Sequence, residues 1–343
     1  MSAPIFIVGA NRSGTTLLRL LLNAHSAVAI PDEVNYFYGF DWTVSYTLWR
    51  SPTLSVAAYE SFVDRFLAEN QSKVPGLDLS AVRSTILNEP VDLRRPYQCL
   101  LEAWAALHGK ARWGEKTPGN IYHANLLIDM FPDARFVHVV RDPRGGVASM
   151  KRVSFFPNDA VLNAMNRHKV MTHGRDYLRR FVPREQRVEV RYEDLVTIPR
   201  ETLRGLCSFL DLPYEDGMLR FHVDAERFMT EEASSSFNEA ATRPISKARA
   251  DAWKTALTSD EVASIERICV DEMVEFDYPR LRPRLSWAGA LNFAVKCAYW
   301  RIQWWRHRKD LHFAVVSPML SRTRARLRNL EDRVSRRIAR ALS

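Results

Sequence analysis

The chain has 343 residues, 46% of them hydrophobic and 26% charged, and a net charge of +9 at pH 7. That length and apolar content suit one or two globular domains with a sizeable core. The charge is uneven: from Arg280 onward there are 16 Lys/Arg against 3 Asp/Glu, giving +13 and leaving −4 for everything before it. A basic tail on a mildly acidic body excludes a whole-chain nucleic-acid reading built on net charge.

Cys99, Cys207, Cys269 and Cys297 lie far apart with no Cys-x-x-Cys or Cys/His cluster. This speaks against a zinc site or a disulfide framework and for reduced thiols in a cytoplasmic protein. The apolar run Ile5 to Val8 is too short for a signal-peptide core and follows no basic residue, so it reads as a first buried strand. Residues 4–25 then form a strand, a Gly-containing loop and a helix. Residues 55–108 read as helical, with apolar positions at Phe62, Phe66, Leu100, Trp104 and Leu107.

A second strand-loop-helix unit is "ARFVHVV" followed by "RDPRGGVASM", with Pro143 in the first helical turn and Asp142 as its cap. "RVEVRYEDL" supplies a later strand, and Pro199 to Leu210 a helix. Residues 230–247 are polar and without period, which marks a long surface loop. A helix pair through Trp253 and Val262 to Met273 follows. Strands alternating with helices predict an α/β fold, a mainly parallel central sheet flanked by helices. One domain spans 1–284, and 285–343 form a basic helical tail.

The loop "GANRSGTT" has Gly9, Gly14 and Thr16 at phosphate-loop spacing, but Thr15 stands where the lysine of an NTPase loop belongs. Its glycines let backbone N–H groups converge on an anion, and the helix N-terminus adds its dipole. Arg12, Ser13, Thr15 and Thr16 supply side-chain donors. Losing the lysine weakens the case for a γ-phosphate, and the same loop read alone is also a plain turn before a helix. In the second unit Arg141 sits at a strand end and Ser149 about two helical turns later, a pair suited to another phosphate. Asp142 is no clear strand-end magnesium ligand. Together the two loops suggest a nucleotide carrying phosphates at both ends.

In order along the chain, "RSGTTLLRLLLNAHSAVAIPDE", "WGEKTP", "RFVHVVRDPRGGVASM" and "RYEDLVTIP" resemble the segments of sulfotransferases that use 3′-phosphoadenosine 5′-phosphosulfate (PAPS). The pattern is most similar to the tyrosylprotein-sulfotransferase branch, a P-loop-like fold. The resemblance implies that Arg12, with Ser13, Gly14, Thr15 and Thr16, contacts the 5′-phosphosulfate, and that Arg141 and Ser149 hold the 3′-phosphate. Tyr192 matches a tyrosine near the cofactor, although an aromatic there is equally a core residue. Glu33 corresponds to the general base for an acceptor hydroxyl, with Asp32 its local competitor. Lys116 corresponds to the cation that stabilises the bridging oxygen, joined by Arg12. Ser235, Ser236, Arg243 and Lys247 are lid candidates. His25 and His138 fall in scaffold elements and read as structural.

Sulfuryl transfer builds negative charge on the departing phosphate, so aligned partners and fixed cations suffice and no metal is required. The acceptor is expected to be a hydroxyl of a small molecule, glycan or lipid. Two other classes fit parts of the pattern: a P-loop kinase or related nucleotide-dependent transferase, and a non-catalytic nucleotide-binding or membrane-associated scaffold. Residues 286–306 predict an amphipathic helix, with Trp287, Leu291, Val295, Ala298, Ile302 and Trp305 on one side and Asn292, Lys296, Gln303 and Arg306 on the other. Lys296 and Arg301 argue against a spanning segment. An anionic membrane surface, a partner helix of a homo-oligomer along 318–342, or the body itself could take this tail. No nucleic-acid partner is expected. The location expected is cytoplasmic, with the tail peripheral on the inner membrane face.

Overall fold

The computed structural model describes residues 3–34, 36–37, 54–228 and 243–313. Its centre is a five-stranded sheet of β1 (Ile5–Gly9), β2 (Val28–Ala29), β3 (Arg112–Lys116), β4 (Arg135–Val140) and β5 (Arg187–Arg191). Their order is β2-β3-β1-β4-β5, and every pairing is parallel. This is the mainly parallel, helix-flanked sheet that the sequence predicts.

Strand β1 lies in the middle, paired to β3 through Ile7 and Lys116 and to β4 through Val8 and His138. An all-apolar run is what a strand covered on both faces requires. Phe6 packs among Tyr97, Trp113, Phe131 and Phe136, with ring centroids 5.3–6.3 Å apart. Such a fully buried Phe contributes on the order of 2 kcal/mol by transfer alone.

Helix α1 (Thr15–Asn23) follows β1. Between β2 and β3 lie α2 (Val56–Asn70), α3 (Leu79–Leu87) and α4 (Arg94–Leu107), so the helical reading of 55–108 resolves into three helices. Next come α5 (Ala124–Met130), α6 (Pro143–Met150), α7 (Ala160–Lys169) and α8 (Arg175–Phe181). After β5 the chain turns at once into α9 (Tyr192–Thr197) and α10 (Pro199–Phe209), so the predicted strand ends before Tyr192. The final described helices are α11 (Ala248–Asp251), α12 (Trp253–Ala256), α13 (Ser259–Ile268), α14 (Val270–Glu275) and α15 (Trp287–Phe313).

The scaffold histidines take structural partners: His25 Nε2 lies 2.8 Å from the Pro213 carbonyl, and His138 Nδ1 lies 3.3 Å from Glu189. Asp142 caps α6 by accepting from the Arg144 backbone N–H at 2.8 Å. Of the predicted lid residues, Ser235 and Ser236 fall outside the described residues, as does the 318–342 helix. Among the described residues no helix is long and apolar enough to cross a membrane.

Candidate active site

In a parallel sheet the loops leaving the C-terminal strand ends converge at one edge, where open α/β folds bind ligands. Arg12, Lys116, Arg141 and Tyr192 all follow or end such strands, and Asp32 and Glu33 come three and four residues after β2.

The first loop is built around two unusual backbone positions. Gly14, the residue before α1, has φ 97°, and a Cβ there would lie 2.3 Å from the Tyr192 ring. Only glycine combines that left-handed conformation with so close an aromatic neighbour. Arg12 adopts φ 63° without being glycine, a strain of roughly 1–2 kcal/mol held in the turn. Ser13 N–H donates to the Ala10 carbonyl at 3.2 Å and closes the turn. No side chain caps α1 at Gly14, so the first-turn N–H groups, those of Thr15 and Thr16 included, are left for an anion.

Arg12 Nε donates to Ser149 Oγ at 3.1 Å. The two predicted phosphate sites are therefore contiguous, because these residues belong to different ones. Arg141 Nη1 donates to the Arg12 carbonyl at 3.1 Å, Nη2 donates to the Arg249 carbonyl at 3.4 Å, and the guanidinium lies 4.0 Å over the Tyr192 ring. Tyr192 thus stands between Gly14 and Arg141, buried yet in contact with both loops. Burial, Arg141 and Arg152 lower the Arg12 pKa, and burial lowers that of Arg141. An incoming anion would relieve both, which is the electrostatic mark of an anion site.

At the other side of the loop, Lys116 Nζ donates to Glu33 Oε1 at 2.5 Å. Lys116 is almost fully buried, whereas the Glu33 side chain is 44% exposed, so the carboxylate is reachable while the ammonium is sheltered. Glu33 also acts on the charge of Arg12, which ties this pair electrostatically to the loop. Asp32 Oδ1 accepts from the Glu33 N–H at 2.9 Å and lies 3.9 Å from both Lys116 Nζ and Arg19 Nη2. Burial raises the Asp32 pKa, but the two cations outweigh it and hold the pKa below the usual range.

Three supporting residues went unread in the sequence: Asp32 as an anchor, Arg19 and Arg167. Arg19 lies fully buried in α1 and donates to the Phe228 carbonyl at 2.6 Å. A lone arginine inside "LLRLLL" was the available signal, since such a charge needs a partner. Arg167 of α7 donates to Ser13 Oγ at 3.0 Å, to the Arg141 carbonyl at 2.5 Å and to Glu272 at 3.1 Å. The Ser13 hydroxyl therefore braces the loop from behind, and no local pattern announces Arg167. Arg243 is exposed at the start of the described segment that begins there, and Lys247 is exposed too.

A family model described as "Sulfotransferase family" matches residues 4–216. The protein-tyrosine sulfotransferase of Drosophila melanogaster is 26% identical over 221 residues, 63% of this chain and 39% of that protein. Protein-tyrosine sulfotransferase A of Caenorhabditis elegans is 23% identical over 278 residues, 77% of this chain and 64% of that one. The chain therefore spans less than two thirds of the length of these relatives. The sulfotransferase domain of the Synechococcus PCC 7002 olefin synthase superposes with a TM-score of 0.55 at 21% identity, covering 81% of this chain and 97% of that domain. That likeness speaks for the fold. The match over most of the body, with the phosphate loop and the Glu33–Lys116 pair inside it, means that the chain belongs to the sulfotransferase family.

Proposed function

We propose that this chain transfers a sulfuryl group from PAPS to a hydroxyl of a small-molecule, glycan or lipid acceptor in the cytoplasm, releasing adenosine 3′,5′-bisphosphate. Family and fold support sulfotransfer in general. The observation that carries the finer reading is the Glu33–Lys116 pair standing beside an anion loop bordered by Arg12 and Arg141.

The residues fit a ligand anionic at both ends. Arg12 and the open N-terminus of α1 would hold one charged group, and Arg141 and Ser149 the other. Among the described residues the buried Arg141 Nε has no hydrogen-bond partner, as expected of a donor reserved for a ligand. Bound PAPS supplies the activated sulfuryl group. Glu33 then accepts the acceptor's proton, a role contributing roughly 10²–10⁴ in rate. Lys116, released from Glu33 as that proton arrives, offers its charge to the oxygen on which negative charge grows. Arg12 and the helix dipole stabilise the same region.

Thermal-shift measurement of adenosine 3′,5′-bisphosphate against Mg-ATP tests the proposal. At about 100 times its dissociation constant a ligand stabilises the fold by about 2.7 kcal/mol. Stabilisation by the bisphosphate is expected; stabilisation by Mg-ATP alone would overturn it.

A further inference from the structure

Helix α15 is fastened to the body along one face. Ser286 donates through N–H and Oγ to Asp260 of α13, and its own Oγ accepts from the Gly289 N–H at 3.0 Å. A Cβ on Gly289 would stand 2.4 Å from the Asp260 carboxyl carbon, so the helix starts as close to α13 as a glycine allows. One turn or more along, Lys296 pairs with Asp159, the cap of α7. Phe293, Cys297 and Trp300 lie half-buried on this same side. The tail's first helix thus folds back on the body, and Lys296 of the predicted solvent face points inward.

The opposite side is apolar and uncovered. Trp287 is 94% exposed, and Leu291, Val295, Tyr299 and Ile302 are each more than half exposed. At about 100° per residue these five occupy an arc of roughly 120°, filled in by Ala288, Ala294 and Ala298 and bordered by Asn292 and Arg301. Between Trp287 and Ile302 no charged or amide side chain falls within the arc. A contiguous exposed apolar face of this kind marks an interaction site.

We infer that this face lies on an anionic lipid surface. An arc of this breadth suits a plane, whereas a coiled-coil partner would use a narrow seam of two positions per heptad. Tryptophan and tyrosine at its ends are side chains favoured at the headgroup boundary. The sequence from Arg280 onward carries 16 basic and 3 acidic residues while the rest is net negative, a composition that complements anionic headgroups. The inference stands independently of the reaction proposed above.

The experiment is co-sedimentation of the full chain with phosphatidylglycerol/phosphatidylcholine vesicles and with phosphatidylcholine alone, followed by light scattering without lipid. Binding to the anionic vesicles is expected, with weakening at about 1 M salt, where the Debye length is about 3 Å. Leu291→Glu/Val295→Glu should lower the partition coefficient roughly tenfold or more at unchanged Tm. Arg301→Glu, which leaves the apolar arc intact, should weaken anionic binding alone. Failure of the wild-type chain to bind, equal binding by the double variant, or a stable dimer that the double variant dissolves would each overturn the inference. The dimer would assign the face to a second copy.

Discussion

The buried ammonium of Lys116 and the half-open carboxylate of Glu33 meet at 2.5 Å, so the two groups assigned to opposite tasks in sulfuryl transfer are one ion pair at rest. In the mechanism proposed above, protonating Glu33 during transfer would dissolve that pair and free Lys116 when its charge is useful. Glu33→Gln is therefore expected to lower kcat by roughly 10²–10⁴ while leaving bisphosphate affinity within about twofold. Steady-state kinetics beside calorimetric titration measure both, and wild-type turnover in the variant would remove Glu33 from the reaction.

Ser149 is shared between Arg12 and the predicted 3′-phosphate site. Ser149→Ala should raise the Kd for adenosine 3′,5′-bisphosphate roughly 10- to 150-fold, the worth of one hydrogen bond to a charged group. Arg141→Lys should cost more, because lysine replaces neither the planar fork nor the contact over Tyr192. Unchanged affinity in both variants would place the nucleotide elsewhere.

Glu115 gives a pH signature of stability. It is fully buried, accepts hydrogen bonds from Thr117 Oγ1 and from Asn120 Nδ2, the latter at 2.7 Å, and burial pushes its pKa up from 4.5 to about 7. A carboxyl group whose folded pKa lies above its unfolded value favours the fold at low pH. That advantage is full below about pH 4.5 and is lost as pH rises to about 7, on the order of 3 kcal/mol in total. Glu115→Gln can still accept from Asn120 through its carbonyl oxygen and donate to the Thr117 hydroxyl, and it does not titrate, so Tm of wild type relative to the variant should fall between pH 5 and 8. Parallel Tm curves would contradict this.

Arg167 joins the first loop, the end of β4 and Glu272 in one buried cluster. Arg167→Met leaves Glu272 buried without its cation and should destabilise by roughly 3–5 kcal/mol. The Tm should drop by at least about 6 °C in differential scanning fluorimetry. Adding Glu272→Leu should recover much of that loss, since the unpaired charge goes with it. A single variant as stable as wild type would show that the cluster is incidental.

The parallel sheet was legible because "IFIV" and "ARFVHVV" are buried strands followed directly by glycine or proline turns into helices. The placement of Arg12, Arg141 and Ser149 followed from those same local turns. Glu33 and Lys116 were named through resemblance, since 83 residues separate them and their 2.5 Å contact is created by β2 and β3 lying side by side. Arg167 escaped altogether: its three partners come from three distant segments, and nothing in "NAMNRHK" marks one arginine as buried. The tail helix was predicted with one apolar face, but Phe293 and Trp300 form a second one against the body.

The arginine that reaches the Phe228 carbonyl sits in the helix rising from the phosphate loop, and the arginine that reaches the Arg249 carbonyl ends the strand beside it. Phe228 and Arg249 are thus each held by an arginine from one of the two elements that carry the candidate anion site. Displacing either element would draw on the backbone that its own arginine holds, at Phe228 or at Arg249.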